Sequence, residues 1–170
     1  MQRSVRVLAV DDFAPFRDLV RSILLQLPQL KFIGEASDGM EAVRKAEELQ
    51  PDLILLDIGL PVLNGLEAAR RIGKVSPKSR ILFVSANMSR EIAEETLRLG
   101  AGGYVVKSNV ASELLPAVES VLEGERFVST CLAAGDLAGP RVAHLDDHHY
   151  REAWCDDSAA ETANSESLGG

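Results

Sequence analysis

LILLD, residues 53–57, is a run of four apolar residues that ends in a carboxylate. Continuous apolarity over four residues is typical of a strand buried on both faces, as in a parallel sheet. An acidic side chain directly after such a strand lies at the carboxyl end of the sheet, where parallel α/β proteins bind their ligands. The stretch therefore predicts a fold class and the location of a site.

Short apolar runs of the same kind recur along the chain, with helical spacing of apolar residues between them. The predicted strands are Val5–Val10, Phe32–Ala36, Leu53–Leu56, Ile81–Val84 and Tyr104–Val106. The predicted helices are Phe16–Leu27, Met40–Leu49, Leu66–Ile72, Glu91–Leu99 and Glu113–Leu122. This alternation predicts a doubly wound α/β domain over residues 4–124, with a five-stranded parallel sheet covered by helices on both faces.

Capping and helix-breaking residues agree with this division. Asp38 and Glu41 have the spacing of a capping box, and Gly100 is placed to end the fourth helix. Pro116 is expected close to the start of the last helix, where a missing N–H costs least.

The pattern changes after Gly124, where helical periodicity is lost. Residues 125–135 are interpreted as a linker, and residues 136–170 as an acidic, mostly disordered tail. The net charge is −8, and residues 125–170 contain nine acidic and three basic side chains. We expect no DNA-binding domain and no nucleic-acid partner, because an acidic segment repels phosphate backbones. Three histidines and Cys155 in the tail fit no tight metal-ligand spacing.

Chemically active side chains follow four of the predicted strands. They are Asp11 and Asp12 after the first strand, Asp57 after the third, Ser85 after the fourth and Lys107 after the fifth. The carboxyl ends of parallel strands share one edge, so these groups should converge. Clustered carboxylates favour Mg²⁺, and a carboxylate beside this ion can attack a phosphoryl donor. Lys107 and Ser85 would then stabilise the transferred phosphoryl group.

Several motifs make this sequence resemble the receiver domain of two-component response regulators. They are Val-Asp-Asp at 10–12, Leu-Leu-Asp-Ile-Gly-Leu-Pro at 55–61, Val-Ser-Ala at 84–86, Gly-Tyr at 103–104 and Val-Lys at 106–107. The resemblance implies a flavodoxin-like fold in which Asp57 accepts the phosphoryl group. It also implies that Asp11, Asp12, Asp57 and the Gly59 backbone carbonyl bind Mg²⁺, and that Ser85 and Tyr104 form the switch pair.

The resemblance also implies partners. A histidine kinase or a histidine phosphotransfer protein would supply the phosphoryl group. The surface of the fourth helix, fifth strand and fifth helix would signal to a downstream protein or form a homodimer. Such a protein modifies and dephosphorylates itself but is not a turnover enzyme. We expect it to be cytoplasmic, since no apolar run approaches the roughly 20 residues that span a bilayer.

Two departures from the family pattern concern the site. Receivers usually have a proline after the lysine, but this chain has Ser108. Gly59 and Asn87 occupy the positions that tune dephosphorylation, and Gly59 has no side chain to shield an acyl phosphate. The lifetime of the phosphorylated state therefore stays open.

Two other functions were weighed. An aspartyl-phosphate phosphatase also uses Asp and magnesium, but it generally has a second Asp two residues after the nucleophile, and here that residue is Gly59. A phosphorylation-independent interaction module with the receiver fold is the main alternative. It predicts the loss of an acidic or lysine position, and none is lost.

Overall fold

The computed structural model describes residues 3–133. The six strands are β1 (Val5–Val10), β2 (Leu30–Ala36), β3 (Leu53–Leu56), β4 (Arg80–Ser85), β5 (Gly103–Val106) and β6 (Phe127–Val128). The helices are α1 (Ala14–Leu24), α2 (Gly39–Leu49), α3 (Gly65–Val75), α4 (Arg90–Arg98), α5 (Val110–Glu123) and α6 (Thr130–Ala133), and a short 3-10 helix covers Lys107–Asn109.

All strands are parallel, in the order β2-β1-β3-β4-β5-β6. The central strand β3 is buried along its whole length, as its continuous apolarity predicts. On one face the sheet packs against α1 and α5, through residues such as Val20, Leu24 and Leu114. The parallel α/β fold is therefore confirmed.

The predicted strand count of five is wrong, because β6 pairs with the outer edge of β5. Part of the predicted linker is thus folded: Phe127–Val128 form the strand, Ser129 is fully buried and Leu132 is nearly so. A two-residue strand is too short to show periodicity, so its pairing depends on contacts with β5. Residues 134–135 and the predicted tail, 136–170, lie outside the described residues.

Helix ends follow the expected chemistry. The Asp38 side chain accepts a hydrogen bond from the Glu41 N–H at 2.8 Å, and the Glu41 carboxylate accepts one from the Ser37 N–H. Asn64 and Ser89 cap α3 and α4 in the same way. Gly100, just beyond α4, has a φ of 93°, a left-handed conformation that favours glycine.

The position of Pro116 was predicted wrongly. Helix α5 begins at Val110, so Pro116 lies inside the helix and not in its first turn. A proline there cannot donate a hydrogen bond to the Ser112 carbonyl four residues earlier. Both residues are exposed, so water can satisfy this carbonyl.

Among residues 3–133, no helix has the length and apolarity needed to cross a bilayer.

Candidate functional site

The carboxyl ends of β1, β3 and β5 bring the predicted polar residues together. The Asp57 N–H donates to the Val10 carbonyl at 3.0 Å, which places the start of the β3–α3 loop beside the end of β1. Leu56 pairs with Phe83, and Ser85 pairs with Val106, so the ends of β4 and β5 lie at the same edge. The strand-end rule therefore located this set of residues.

Lys107 joins two buried carboxylates. Its Nζ lies 2.5 Å from Asp11 Oδ2 and 3.0 Å from Asp57 Oδ2. Asp11 and Asp57 are only 3% and 6% exposed, so their charges are poorly solvated. Asp57 Oδ1 accepts a further hydrogen bond from the Ile58 N–H at 2.7 Å. A single ammonium group thus compensates two buried acids.

The protonation equilibria reflect this shortage of positive charge. Burial raises the pKa of the Asp57 carboxyl, and the nearby Asp11 charge adds to the rise, although Lys107 opposes it. Burial by itself would lower the pKa of the Lys107 ammonium, but its hydrogen bonds to Asp11 and Asp57 outweigh that effect and raise it. Lys107 therefore stays charged, and Asp57 is less easily ionised than an exposed aspartate.

Three carboxylates are arranged so that a hard cation could bind. Oxygen atoms of Asp11, Asp12 and Asp57 lie within 4.8 Å of one another. Asp12 is exposed, so an ion bound there could keep several of its waters, as Mg²⁺ prefers. Gly59 is exposed beside Asp57, and a Cβ built on it would meet nothing within 4 Å. The donor set fits Mg²⁺.

Helix α3 approaches the acceptor loop very closely. A Cβ built on Gly65 would lie 2.0 Å from the Asp57 carbonyl oxygen and 2.7 Å from the Ile58 Cα, so only glycine fits without movement of the backbone. The Gly65 N–H donates to the Ile58 carbonyl at 2.8 Å. Gly65 therefore helps to set the position of Asp57. No motif in the sequence indicates this role.

The predicted switch residues Ser85 and Tyr104 are both buried. Ser85 Oγ accepts a hydrogen bond from the Asn87 N–H at 3.2 Å, and the Tyr104 hydroxyl donates to the Asn87 carbonyl at 2.7 Å. Burial raises the pKa of the Tyr104 phenol. The Tyr104 ring therefore lies inside the domain, next to the loop that follows β4.

The Lys107–Ser108 peptide is trans, as are all peptides among the described residues. Lys107 and Ser108 begin the 3-10 helix that leads to α5.

Two contacts from α1 to the site were not predicted, because Phe16 and Arg17 have the pattern of ordinary helix positions. The Phe16 ring lies under Lys107, with 4.5 Å between Nζ and the ring centroid, and the Arg17 guanidinium donates to the Asp11 carbonyl.

The model of the response regulator receiver domain family matches residues 7–119. The nitrate/nitrite response regulator protein NarL of Escherichia coli K12 is 34% identical over 131 residues, which are 77% of this chain and 61% of NarL. The chain thus spans about three-fifths of the length of such curated relatives. These relatives extend well beyond the matched residues, so the expectation that this protein has no nucleic-acid partner is not supported.

Solved structures agree. A two-component response regulator of the LuxR family from Aurantimonas sp. SI85-9A1 is 34% identical, with a TM-score of 0.73, over 76% of this chain and 93% of that one. The CheX-CheY-BeF3-Mg complex from Borrelia burgdorferi contains a chain that is 28% identical, with a TM-score of 0.66, over 69% and 89% of the two chains. The chain belongs to the response-regulator receiver domain family of two-component systems.

Proposed function

We propose that this domain accepts a phosphoryl group on Asp57 in a Mg²⁺-dependent reaction and so switches the surface formed by α4, β5 and α5. The observation that carries the proposal is the position of Lys107, which contacts Asp57 on one side of a three-carboxylate cluster. A lysine at this distance can stabilise the charge of a transferred phosphoryl group. The Borrelia relative, solved with beryllofluoride and magnesium, supports the same chemistry.

The donor is a phosphohistidine of a kinase or a phosphotransfer protein. A carboxylate oxygen of Asp57 attacks phosphorus, the bond from phosphorus to the imidazole nitrogen breaks, and that nitrogen retains the electron pair. Asp11, Asp12, Asp57 and the Gly59 carbonyl would hold Mg²⁺, which neutralises phosphoryl charge when bound. Lys107 and the Ser85 hydroxyl would contact the remaining phosphoryl oxygens.

Asp57 ionises before it acts as the nucleophile. Burial and the charge of Asp11 raise the pKa of the Asp57 carboxyl. A cation that binds at the site lowers this pKa, because it stabilises the ionised form of Asp57 and screens the charge of Asp11. Lys107 stays charged throughout. Before the transfer its ammonium group neutralises Asp11 and Asp57, and after the transfer it binds the phosphoryl group. The chemistry leaves an acyl phosphate on Asp57 and a dephosphorylated histidine on the donor, so each transfer modifies the domain itself, as expected of a receiver rather than a turnover enzyme.

Incubation with acetyl phosphate and Mg²⁺ tests the acceptor without a partner protein. The carboxylate displaces acetate from phosphorus, so we expect intact mass spectrometry to show a gain of about 80 Da in the wild type. Asp57→Asn should show no gain, whereas Asp38→Asn, a change in a helix cap away from the site, should label normally. Labelling of Asp57→Asn, or of a Ser, Thr or His residue in the wild type, would contradict the assignment.

A second function is favoured by one observation. Tyr104 is fully buried and donates to the Asn87 carbonyl, so the surface beside it has a defined form. A partner that recognises this form would bind independently of phosphorylation. Equal affinity of a captured partner for the wild type and for Asp57→Asn would favour this function over the switch.

A further inference from the structure

The segment Phe127–Ala133, which we name the clasp, lies along the free edge of β5. Phe127 and Val128 pair with Gly103 and Tyr104 as strand β6. The Ser129 N–H donates to the Tyr104 carbonyl at 2.9 Å. The clasp therefore occupies the edge of the same strand that the switch residue Tyr104 belongs to.

A buried carboxylate on α5 holds the clasp. Glu113 is 6% exposed and accepts hydrogen bonds from the Ser129 hydroxyl, from the Thr130 N–H at 3.0 Å and from the Thr130 hydroxyl at 2.6 Å. A side-chain amide of Asn109 is a fourth donor, at 3.4 Å. Burial alone would raise the pKa of Glu113, but these donors outweigh it and lower the pKa. The carboxylate is thus charged and well satisfied.

The clasp also contacts the backbone beside the candidate acceptor site. The Val106 N–H, at the end of β5, donates to Ser129 Oγ at 2.8 Å, and Val106 directly precedes Lys107. Asn109, two residues after Lys107, donates to both Glu113 and the sulfur of Cys131. A backbone shift at Lys107 would therefore reach the clasp through its two neighbours, Val106 and Asn109.

We propose that the clasp is a built-in effector of the switch, which binds the edge of the strand that contains Tyr104 and so couples the acceptor site to residues 127–133. This inference rests on the proposed function for its input. By linkage, a phosphoryl group on Asp57 tightens the clasp, and the clasp in turn raises the affinity of the site for a phosphoryl group by the same factor.

Hydrogen exchange of the full chain, with Mg²⁺ and with or without beryllofluoride, tests the forward direction. This probe replaces the labile acyl phosphate. We expect the amides of Val106 and Ser129, whose partners join the clasp to β5, to exchange about fivefold more slowly or slower still when the probe is bound. The amides of α2, which packs against β2 at the edge of the sheet opposite β6, serve as the internal control.

Titration with beryllofluoride tests the reverse direction. Ser129→Ala removes the hydroxyl that joins Val106 to Glu113, and it should weaken binding of the probe about fivefold or more. Thr130→Val, a milder change at an exposed residue, should weaken binding in the same sense and keep the test valid if Ser129→Ala does not fold. Glu119→Gln, at an exposed position of α5, the helix that contains Glu113, is the control and should bind the probe as the wild type does.

The two proposals fail in different ways. If the wild type binds the probe, but Val106 and Ser129 exchange at unchanged rates and the clasp variants bind with unchanged affinity, then the clasp is only structural and the proposed function stands. If the wild type with Mg²⁺ neither binds the probe nor labels with acetyl phosphate, the proposed function is wrong and the clasp has no input to transmit.

Discussion

Asp57 and Glu113 are equally buried, each 6% exposed, yet their acid–base behaviour is opposite. The pKa of the Asp57 carboxyl is raised, and that of Glu113 is lowered. Loss of water is the largest contribution in both, and it acts in the same direction. The loss of water is greater for Asp57, which has more protein atoms around it, and the charge of Asp11 adds to the rise, whereas the hydrogen-bond donors around Glu113 outweigh its loss of water.

The comparison shows how one fold uses a buried carboxylate for two purposes. Donors from Ser129, Thr130 and Asn109 satisfy Glu113, so it holds two segments together. Asp57 shares its ammonium partner Lys107 with Asp11, so it is left short of compensation and can gain from a cation or a phosphoryl group. Burial and incomplete charge compensation together therefore favour the binding of a cation or a phosphoryl group at Asp57.

The largest expected effect concerns how Asp57 is positioned. Gly65→Ala would place a Cβ 2.0 Å from the Asp57 carbonyl oxygen, and backbone must move to relieve the clash. We expect a loss of about 3 kcal/mol or more in the free energy of unfolding, measured by urea denaturation. Gly59→Ala, whose Cβ would meet nothing within 4 Å, is the control and should change stability by less than about 0.5 kcal/mol. Equal effects of the two changes would show that the close approach does not constrain the site.

The next effect concerns the satisfied carboxylate. Glu113→Gln leaves the donors of the clasp without a charged acceptor, and it should cost about 2 kcal/mol at neutral pH. Because the folded pKa of Glu113 is lowered, its contribution is present above the usual value of 4.5 and is lost as the pH falls through the folded pKa. The stability difference between Glu113→Gln and wild type should therefore shrink in strongly acidic urea titrations. A difference that stays constant with pH would mean that packing, not charge, holds the clasp.

The smallest effect has the opposite sign. Asp57→Asn removes a buried charge that is poorly compensated, so at pH 7 we expect the free energy of unfolding to rise by about 1 kcal/mol. Because the folded pKa of Asp57 is raised, the ionised group destabilises the fold above that pKa and has no such effect below the usual value of 3.8. The gain should therefore disappear in acid. A loss of stability at pH 7 would show that the Lys107 contact outweighs the burial of Asp57.

The fold class and the location of the site follow from local sequence patterns. Buried strands read as continuous apolar runs, and the residue after each run lies at the ligand-binding edge whatever the loops do. That is why strand ends alone are enough to group Asp11, Asp12, Asp57 and Lys107. Their roles in phosphorylation stay a prediction.

The clasp, the inward position of Tyr104 and the contact of Phe16 with Lys107 depend instead on how distant segments pack together. Strand β6 has two residues, and Glu113 meets Ser129 across 16 positions of sequence, so neither leaves a periodic signal. The Tyr104 rotamer depends on the Asn87 carbonyl in a different loop. A periodic pattern reports which face of an element is buried, but these features depend on which atoms meet once separate elements have packed.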